Sequence, residues 1–154
     1  MKKVSFTEMK NGTKDDYQLL EKLESQYERK TADRILDYLA SQTSTLEGYQ
    51  ITRLEHSLQA ATRAYKNGEN EEMVVATLLH DLGDELAPMN HSQYAASVIK
   101  PYVSEKTYWI ILHHGLFQTY YSAEHLDGDK NAREKYKNAE HYHCLLYTSD
   151  AADE

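Results

Sequence analysis

The sequence predicts an all-α fold, a helical bundle built as one domain. Apolar residues recur at spacings of three and four along most of the chain, while the alternation typical of strands is weak. Residues that favour helix N-termini precede several of these apolar segments. The 154 residues suffice for one domain with a real core, and no internal repeat or low-complexity linker interrupts them.

The first third of the chain predicts an extended arm, two helices and a loop. Residues 1–13 form the arm, which ends at the Asn11-Gly12 turn signal, and Thr13 caps the first helix. The second helix follows Thr31, and the polar residues 41–48 form the loop. The apolar stripe of the first helix and the inward residues of the second are Tyr17, Leu20, Leu23, Tyr27, Ile35, Leu36 and Leu39.

The next predicted helix covers residues 51–67 and is closed by Gly68. His56 lies almost opposite its apolar stripe, so this side chain either meets solvent or points to a second interior feature. The stripe is formed by Leu54, Leu58, Ala61 and Tyr65.

A central helix capped by Asn70 is apolar on every side over residues 73–79, which predicts a buried element. His80 and Asp81 stand near its end, which Gly83 is expected to mark. Two buried polar groups are costly when unpaired, and a cation at the C-terminal pole of the helix would satisfy both. The alternative is a structural His-Asp pair that is hydrogen-bonded without metal.

Two further helices and a short polar one follow. Asn90 begins a helix that Pro101 ends, Ser104 caps the next, and residues 131–137 form the polar helix. His91 lies on the first of these helices and the His113-His114 doublet near the far end of the second.

Composition narrows the classes of partner. The formal net charge is −8 and there is no block of Lys or Arg, which argues against a nucleic-acid or membrane-surface role. No apolar run is long enough to span a bilayer, and the N-terminal residues lack the apolar core of a signal peptide. The single Cys144 permits no intramolecular disulfide, so we expect a cytoplasmic protein. The partner that we expect is a small-molecule substrate, and the oligomeric state stays open.

Five of the eight histidines lie in or beside the ends of apolar helices. Neutral imidazole is a common ligand of Zn, Fe, Mn and Ni, and histidines on several helices can converge in the core of a bundle. Two metal ions become plausible if a carboxylate bridges them, and Asp81 is the obvious bridge. The five histidines are His56, His80, His91, His113 and His114.

This ordered set, with His80-Asp81 24 residues after His56, resembles the HD-domain superfamily of metal-dependent proteins. The strings at 54–59 and 70–74 resemble one branch of it, the oxygenase that cleaves the carbon–phosphorus bond of a hydroxy-phosphonate. That enzyme and the related inositol oxygenase use a mixed-valent diiron centre. The resemblance covers residues 46–121, and it implies an HD-domain helical bundle.

The resemblance implies a ligand set for two metal ions, Fe(II)/Fe(III) for the oxygenase branch, with Mn or Zn also compatible with nitrogen and oxygen ligands. His56, His80 and Asp81 match the first three ligands, and His91 and His114 match the two that complete the second metal site. His113 competes with His114 for that role and is otherwise expected to hydrogen-bond to a ligand. Gln59 is a further candidate to orient a ligand or a water molecule.

The residues that contact substrate in this branch are not reproduced. Leu46 and Tyr49 stand where the phosphonate oxygenase has a Tyr and a Glu, and Gln118 stands where it has a Lys. Asp84 occupies the place of a Lys in inositol oxygenase. His113, Gln59, Gln118 and Tyr49 therefore remain as candidate substrate-binding or ligand-supporting residues.

The last eleven residues, 144–154, match what one reading frame of a common transposase sequencing adapter encodes. The domain would then comprise residues 1–143 and be truncated at its C-terminus, although an ordinary disordered acidic tail is the alternative. The last ligand of the family is an Asp further downstream, for which Asp127 and Asp129 are too close to the doublet. One metal would then lack a carboxylate, which leaves open that the chain as written is inactive.

The function that the resemblance implies is oxidative cleavage of a small polar substrate, hydroxylated or phosphonate-like, by a diiron oxygenase. A phosphohydrolase is the alternative, because a metal-bound hydroxide could equally attack phosphorus. A structural or regulatory module is the third possibility.

Overall fold

A computed structural model describes residues 2–44 and 48–151, and the regular secondary structure within these ranges is helical, which confirms the all-α prediction. The chain forms two compact units, Met1–Ser41 and Gln42–Glu154. The α-helices are α1 (Lys14–Glu28), α2 (Thr31–Ser41), α3 (Arg53–Lys66), α4 (Glu71–Leu78), α5 (His91–Ile99), α6 (Glu105–Ser122) and α7 (Tyr142–Ala151). Short 3-10 helices cover Met9–Asn11, Lys100–Tyr102, Ala123–His125 and Ala132–Tyr136.

The first unit contains the arm, α1 and α2. Thr13 caps α1 as predicted: its hydroxyl accepts a hydrogen bond from the Asp16 amide, and the Asp16 carboxylate accepts one from the Thr13 amide. Asp16 also accepts from the amide and hydroxyl of Ser5, at 2.9 and 2.8 Å. These hydrogen bonds, with those from Thr13 the strongest, hold the pKa of Asp16 well below its usual range.

Leu39 is buried in this unit, but the predicted inward positions of Leu36, Tyr17 and Tyr27 are wrong, since all three side chains are exposed. Two short helices offer little apolar surface on which to bury a full stripe. The tyrosines find other partners: the Tyr17 hydroxyl donates to the carbonyl of Met9, and the Arg34 guanidinium lies 3.6 Å from the centroid of the Tyr27 ring.

The second unit holds the helices that carry the predicted ligands. The predicted caps are present: Thr52 on α3, Asn70 on α4 and Ser104 on α6 each accept a hydrogen bond from an amide of the first turn. Helix α4 packs against α3 and α6, while α6 also packs against α5 and α7. The apolar core of the unit includes Met73, Ala76, Leu79, Leu82, Ala95, Ala96, Ile99, Ile110, Ile111, Phe117 and Leu145.

The buried face of α3 differs from the predicted stripe. Ser57 and Ala61 are buried, whereas Leu58 and Tyr65 are exposed. Small side chains on the inner face permit close approach of α3 to α4. This approach brings His56, one residue before Ser57, towards the interior of the unit.

The central helix ends earlier than predicted, at Leu78 instead of near Gly83. Residues 79–86 form successive turns, in which the amides of Leu82 and Asp84 donate to the carbonyls of Leu79 and Asp81. Gly83 is required by close packing: a Cβ atom there would lie 2.9 Å from the carbonyl oxygen of His91 and 2.9 Å from Tyr94 Cβ. His80 and Asp81 are thus presented by a turn at the C-terminal end of α4.

Helix α7 runs across the boundary predicted between residues 143 and 144, and Leu145 in it is buried. The assignment of residues 144–154 to an adapter stays a prediction, and residues 152–154 lie outside the described part of the chain, as do Leu46 and the neighbouring loop residues 45 and 47. Among the described residues, the structure has no helix that combines the length and apolarity needed to cross a membrane.

Candidate metal centre

Two groups of potential ligand atoms meet at Asp81. In the first group, His56 Nε2 and His80 Nε2 lie 3.2 Å apart, and each lies 3.2 Å from Asp81 Oδ2. In the second, His114 Nε2 lies 3.1 Å from Asp81 Oδ1 and 3.3 Å from His91 Nε2, which is 3.7 Å from the same oxygen. Each carboxylate oxygen of Asp81 therefore belongs to one group of three ligand atoms.

Four segments distant in sequence supply these atoms. His56 lies on α3, His80 and Asp81 follow α4, His91 is the first residue of α5, and His114 lies in the second half of α6. Gly115 makes room for α5, because a Cβ atom there would lie 2.8 Å from Ser92 Oγ and 3.4 Å from His91 Nε2. The structure thus brings together the five residues that the sequence predicted as metal ligands; their coordination of metal stays a prediction.

The hydrogen bonds made by Nδ1, the ring nitrogen that faces away from the cluster, determine whether Nε2 of His80 and His114 carries a lone pair or a proton. His80 Nδ1 donates to the carbonyl of Thr77 and His114 Nδ1 donates to the carbonyl of Ile111, both at 2.7 Å. A carbonyl oxygen can only accept, so in the neutral rings Nε2 carries a lone pair. The two neutral imidazoles therefore present acceptors to Asp81, a carboxylate that is itself acceptor-only.

The donor set fits bound cations. The Nε2 lone pairs of neutral His80 and His114 face carboxylate oxygens of Asp81 at 3.2 and 3.1 Å, and such lone pairs repel each other unless a positive charge lies among them. Donors bound at about 2.1 Å to one cation lie about 3.0 to 3.4 Å apart in octahedral or tetrahedral arrangements. Imidazole nitrogens and a carboxylate suit Fe, Mn and Zn alike, so the residues accommodate a dinuclear site without selecting its metal.

Charge and burial at the site are uneven. Burial acts to raise the pKa of Asp81, but when the rings carry a proton on Nε2 the charge of His80 and hydrogen bonds from His114, His56 and His80 outweigh burial, so this pKa lies far below its usual range. A cation bound at Nε2 of the neutral rings would lower it in the same direction. The side chains of His80 and His114 are 8 and 7% exposed, against 36% for His56 and 27% for His91. The cluster is therefore open to solvent on the side of His56 and His91.

A second carboxylate, Asp84, lies beside His91. Its Oδ1 is 3.5 Å from His91 Nδ1, and its Oδ2 is 3.0 Å from Nε of Arg53. Burial and the charge of Asp81 raise the pKa of Asp84, while Arg53, His91 and His80 oppose that rise. The sequence placed Asp84 only as a departure from a Lys of inositol oxygenase, and it gave no role to Arg53.

The other candidate residues lie apart from the two ligand groups. His113 donates through Nδ1 to the carbonyl of Trp109 at 2.8 Å, and its ring stacks on Trp109 with centroids 4.4 Å apart. Burial lowers the pKa of His113. Gln59, Gln118 and Tyr49 are exposed, and the ring of Tyr49 lies 4.7 Å from the guanidinium of Arg53.

A family model described as "HD domain" matches residues 53–153, about two thirds of the chain. The chain belongs to the HD domain family. HD domains bind divalent metal ions and are typically enzymes, and the cluster around Asp81 is able to hold metal.

The chain is also similar to [1-hydroxy-2-(trimethylamino)ethyl]phosphonate dioxygenase (glycine-betaine-forming) of Leisingera caerulea. The two are 53% identical over 36 residues, which is 23% of this HD domain chain and 18% of the dioxygenase. The matched segment thus spans about a fifth of the length of that relative.

Proposed function

We propose that this HD domain is a diiron oxygenase that oxidatively cleaves a small polar substrate of the hydroxylated or phosphonate-like class. The observation that carries the proposal is the pair of ligand groups sharing Asp81, taken together with the 53% identity to a phosphonate dioxygenase over 36 residues. His56, His80 and Asp81 would hold one iron ion, and Asp81, His91 and His114 the other. Two bound iron ions would supply one-electron chemistry with dioxygen, whereas Mn or Zn would supply a Lewis-acidic pair that activates water.

The protein residues hold the donor atoms in place for this role. The hydrogen bonds from His80 to Thr77 and from His114 to Ile111 fix both rings with Nε2 directed at the cluster. Asp81 remains ionised because its histidine neighbours lower its pKa, so it can use both oxygens as ligands at neutral pH. These arrangements preorganise the site before substrate arrives.

Substrate access follows from exposure. His56 and His91 are the more exposed of the four histidines, so a small substrate would approach between α3 and the start of α5. An anionic or hydroxylated substrate suits this entrance. Each cation would be held by two neutral imidazoles and one oxygen of Asp81, so the single negative charge of Asp81 would leave an excess of positive charge at the cluster.

The test is aerobic turnover by the Fe(II)-loaded full chain. The purified chain would be loaded with Fe(II) without oxygen, partially oxidised, and examined by EPR and metal analysis. Oxygen uptake would then be measured with [1-hydroxy-2-(trimethylamino)ethyl]phosphonate and with simple 1-hydroxyphosphonates. His125→Ala is the matched control for His56→Ala, because His125 is an exposed histidine outside both ligand groups.

A coupled Fe(II)/Fe(III) signal that changes on addition of substrate, with oxygen uptake lost in His56→Ala and kept in His125→Ala, is the expected result. Phosphate release from phosphate esters or nucleotides with Mn or Zn, in the absence of oxygen, would overturn the oxygenase proposal in favour of a phosphohydrolase. Absence of both bound metal and turnover would favour the structural or regulatory module.

A further inference from the structure

The turn after α4 holds an ion pair that no ligand group uses. Asp84 Oδ2 lies 3.0 Å from Arg53 Nε, and the two side chains are 11 and 15% exposed. An ion pair this far from solvent is retained only where its geometry compensates for the lost hydration. The pair also lies next to a predicted metal ligand, since Asp84 Oδ1 faces His91 Nδ1 at 3.5 Å.

His91 differs from the other histidines in what lies behind its ring. His80 and His114 each donate from Nδ1 to a main-chain carbonyl three residues earlier in the chain. His91 is the first residue of α5, and the residue three places before it, Pro88, belongs to the preceding turn. A side-chain carboxylate from another segment lies on the Nδ1 side of this ring instead: Asp84 Oδ1 is 3.5 Å from His91 Nδ1.

Close packing of the backbone places that carboxylate. Gly83 lies so near the first turn of α5 that a Cβ atom would be 2.9 Å from the His91 carbonyl oxygen and 3.0 Å from His91 Cα. The next residue in the chain, Asp84, is thereby held beside the His91 ring. Arg53, at the start of α3, contacts the same carboxylate from another element.

We propose that Asp84, held by Arg53, is a positioning residue for His91. The Asp84 carboxylate accepts a hydrogen bond from Nδ1–H of His91, fixes the tautomer with its lone pair on Nε2, and directs Nε2 to the second ligand group. Outer-shell carboxylates of this kind orient metal-binding histidines in many sites. This inference rests on the two-metal part of the proposed function, and it is independent of whether the reaction is oxidative or hydrolytic.

The consequence is an asymmetry between the two metal sites. The short ion pairs of Asp84 run to Arg53 and to His91, which is a member of the second ligand group alone. Removing the Asp84 carboxylate should therefore weaken the second site selectively. Loss of an outer-shell partner lowers metal affinity by about 10- to 100-fold.

The experiment titrates the apo full chain with Mn(II) and follows the EPR signal of free Mn(II), which gives a dissociation constant for each site. The variants are Asp84→Ala, Asp84→Asn and Arg53→Met, with Glu85→Ala as the matched control. Glu85 is the adjacent exposed carboxylate, and its contact is a 3.3 Å hydrogen bond from Ser44. Nitrogen-15 NMR of labelled histidines reports the His91 tautomer, assigned with His91→Asn.

In Asp84→Ala we expect the second dissociation constant to rise about 10- to 100-fold and the first to stay within about twofold, with His91 in mixed tautomers. Asp84→Asn should lie in between, because its amide oxygen can still accept from Nδ1–H. Arg53→Met, which keeps the carboxylate, should have a smaller effect in the same direction. Glu85→Ala should leave both constants unchanged.

The proposal is overturned if Asp84→Ala behaves like Glu85→Ala, or if it weakens both sites equally and lowers the melting temperature of the apo protein, as a merely structural pair would. A wild-type chain that binds fewer than two Mn(II) ions also overturns it. A selective loss at the second site without any oxygen uptake in the turnover assay refutes the oxygenase alone and leaves the positioning role of Asp84 intact.

Discussion

Asp81 is the residue on which both ligand groups depend. Its two carboxylate oxygens each lie 3.1 to 3.2 Å from histidine nitrogens of a different group. Every other predicted ligand belongs to one group alone. The two metal sites should therefore respond differently to single substitutions.

Replacing Asp81 with Ala should remove both sites, whereas His56→Ala should remove only the first. The physical reason is that both groups share Asp81, whereas His56 belongs to the first group alone, so the second group keeps all three of its donors when His56 is replaced. Metal analysis after equilibrium dialysis against Mn(II) measures this, with about two, one and no ions expected for wild type, His56→Ala and Asp81→Ala. Equal stoichiometry in the two variants would show that Asp81 is not shared.

Gly83 is a second position where a single added atom should lower stability. The Gly83→Ala variant would place Cβ 2.9 Å from both the carbonyl oxygen of His91 and Tyr94 Cβ, and relieving this contact would require a shift of the α5 backbone. We expect a loss of about 1 to 3 kcal/mol in the free energy of unfolding. Urea denaturation measures the loss.

Gly128→Ala is the control for this substitution, because a Cβ atom there would lie 3.3 Å or more from its nearest neighbours in Ala123. Its effect should be clearly smaller. If the two variants lose equal stability, close packing at Gly83 is not the cause. A weakened second metal site in Gly83→Ala alone would further tie the turn to the position of His91.

At the scale of elements, α4 and the turn that follows it form the part of the molecule that carries the site. The helix begins at the Asn70 cap, packs between α3 and α6, and ends at Leu78 just before His80 and Asp81. Its C-terminal end exposes carbonyl groups, of which that of Thr77 accepts from His80. The position of the ligands thus depends on where this helix begins and ends.

Removing the N-cap of α4 should destabilise the second unit, which contains this helix. In Asn70→Ala the Met73 amide loses its acceptor, which now lies at 2.9 Å, and we expect a cost of about 1 kcal/mol in the free energy of unfolding. Glu69→Ala, one residue earlier and exposed, serves as the comparison. Chemical denaturation followed by circular dichroism should separate the variants; equal midpoints would contradict a capping contribution from Asn70.

At the scale of the whole molecule, the two units differ in the interactions that stabilise them. The first unit is small, and a buried carboxylate, Asp16, joins its arm to the start of α1 through hydrogen bonds from Ser5 and Thr13. The second unit has the larger apolar core and the cluster of histidines. Acid should therefore affect the first unit through Asp16, and the second through release of the metal that the cluster is proposed to bind.

The pH dependence of the first unit has a definite sign. Because folding lowers the pKa of Asp16, its contribution to stability is complete above the ordinary carboxyl value of about 3.9 and is lost as the pH falls towards the lowered value. The thermal midpoint of wild type should thus fall more steeply than that of Asp16→Asn below about pH 4. Parallel curves between pH 2 and 6, recorded by circular dichroism on metal-free protein, would contradict this.

The sequence by itself predicted helices at α1 to α6, although not α7 or the end of α4, and it predicted the types of side chain that meet at Asp81. Caps such as Thr13, Asn70 and Ser104 are local signals, because each side chain accepts a hydrogen bond from the amide three residues later. The grouping of the five candidate ligands, which are His56, His80, Asp81, His91 and His114, was predicted from their order and from a resemblance to a family. The HD domain match agrees with that family.

Only the tertiary structure decided which neighbour each side chain meets. In α6, successive side chains point about 100° apart, so His114 faces Asp81 while His113 stacks on Trp109. The buried face of α3 is lined by Ser57 and Ala61 because α4 lies against it, which no apolar periodicity within α3 can reveal. Likewise, Asp84 gains a role from Arg53 and His91, two residues far from each other in sequence, because nonlocal packing sets these contacts and local pattern does not.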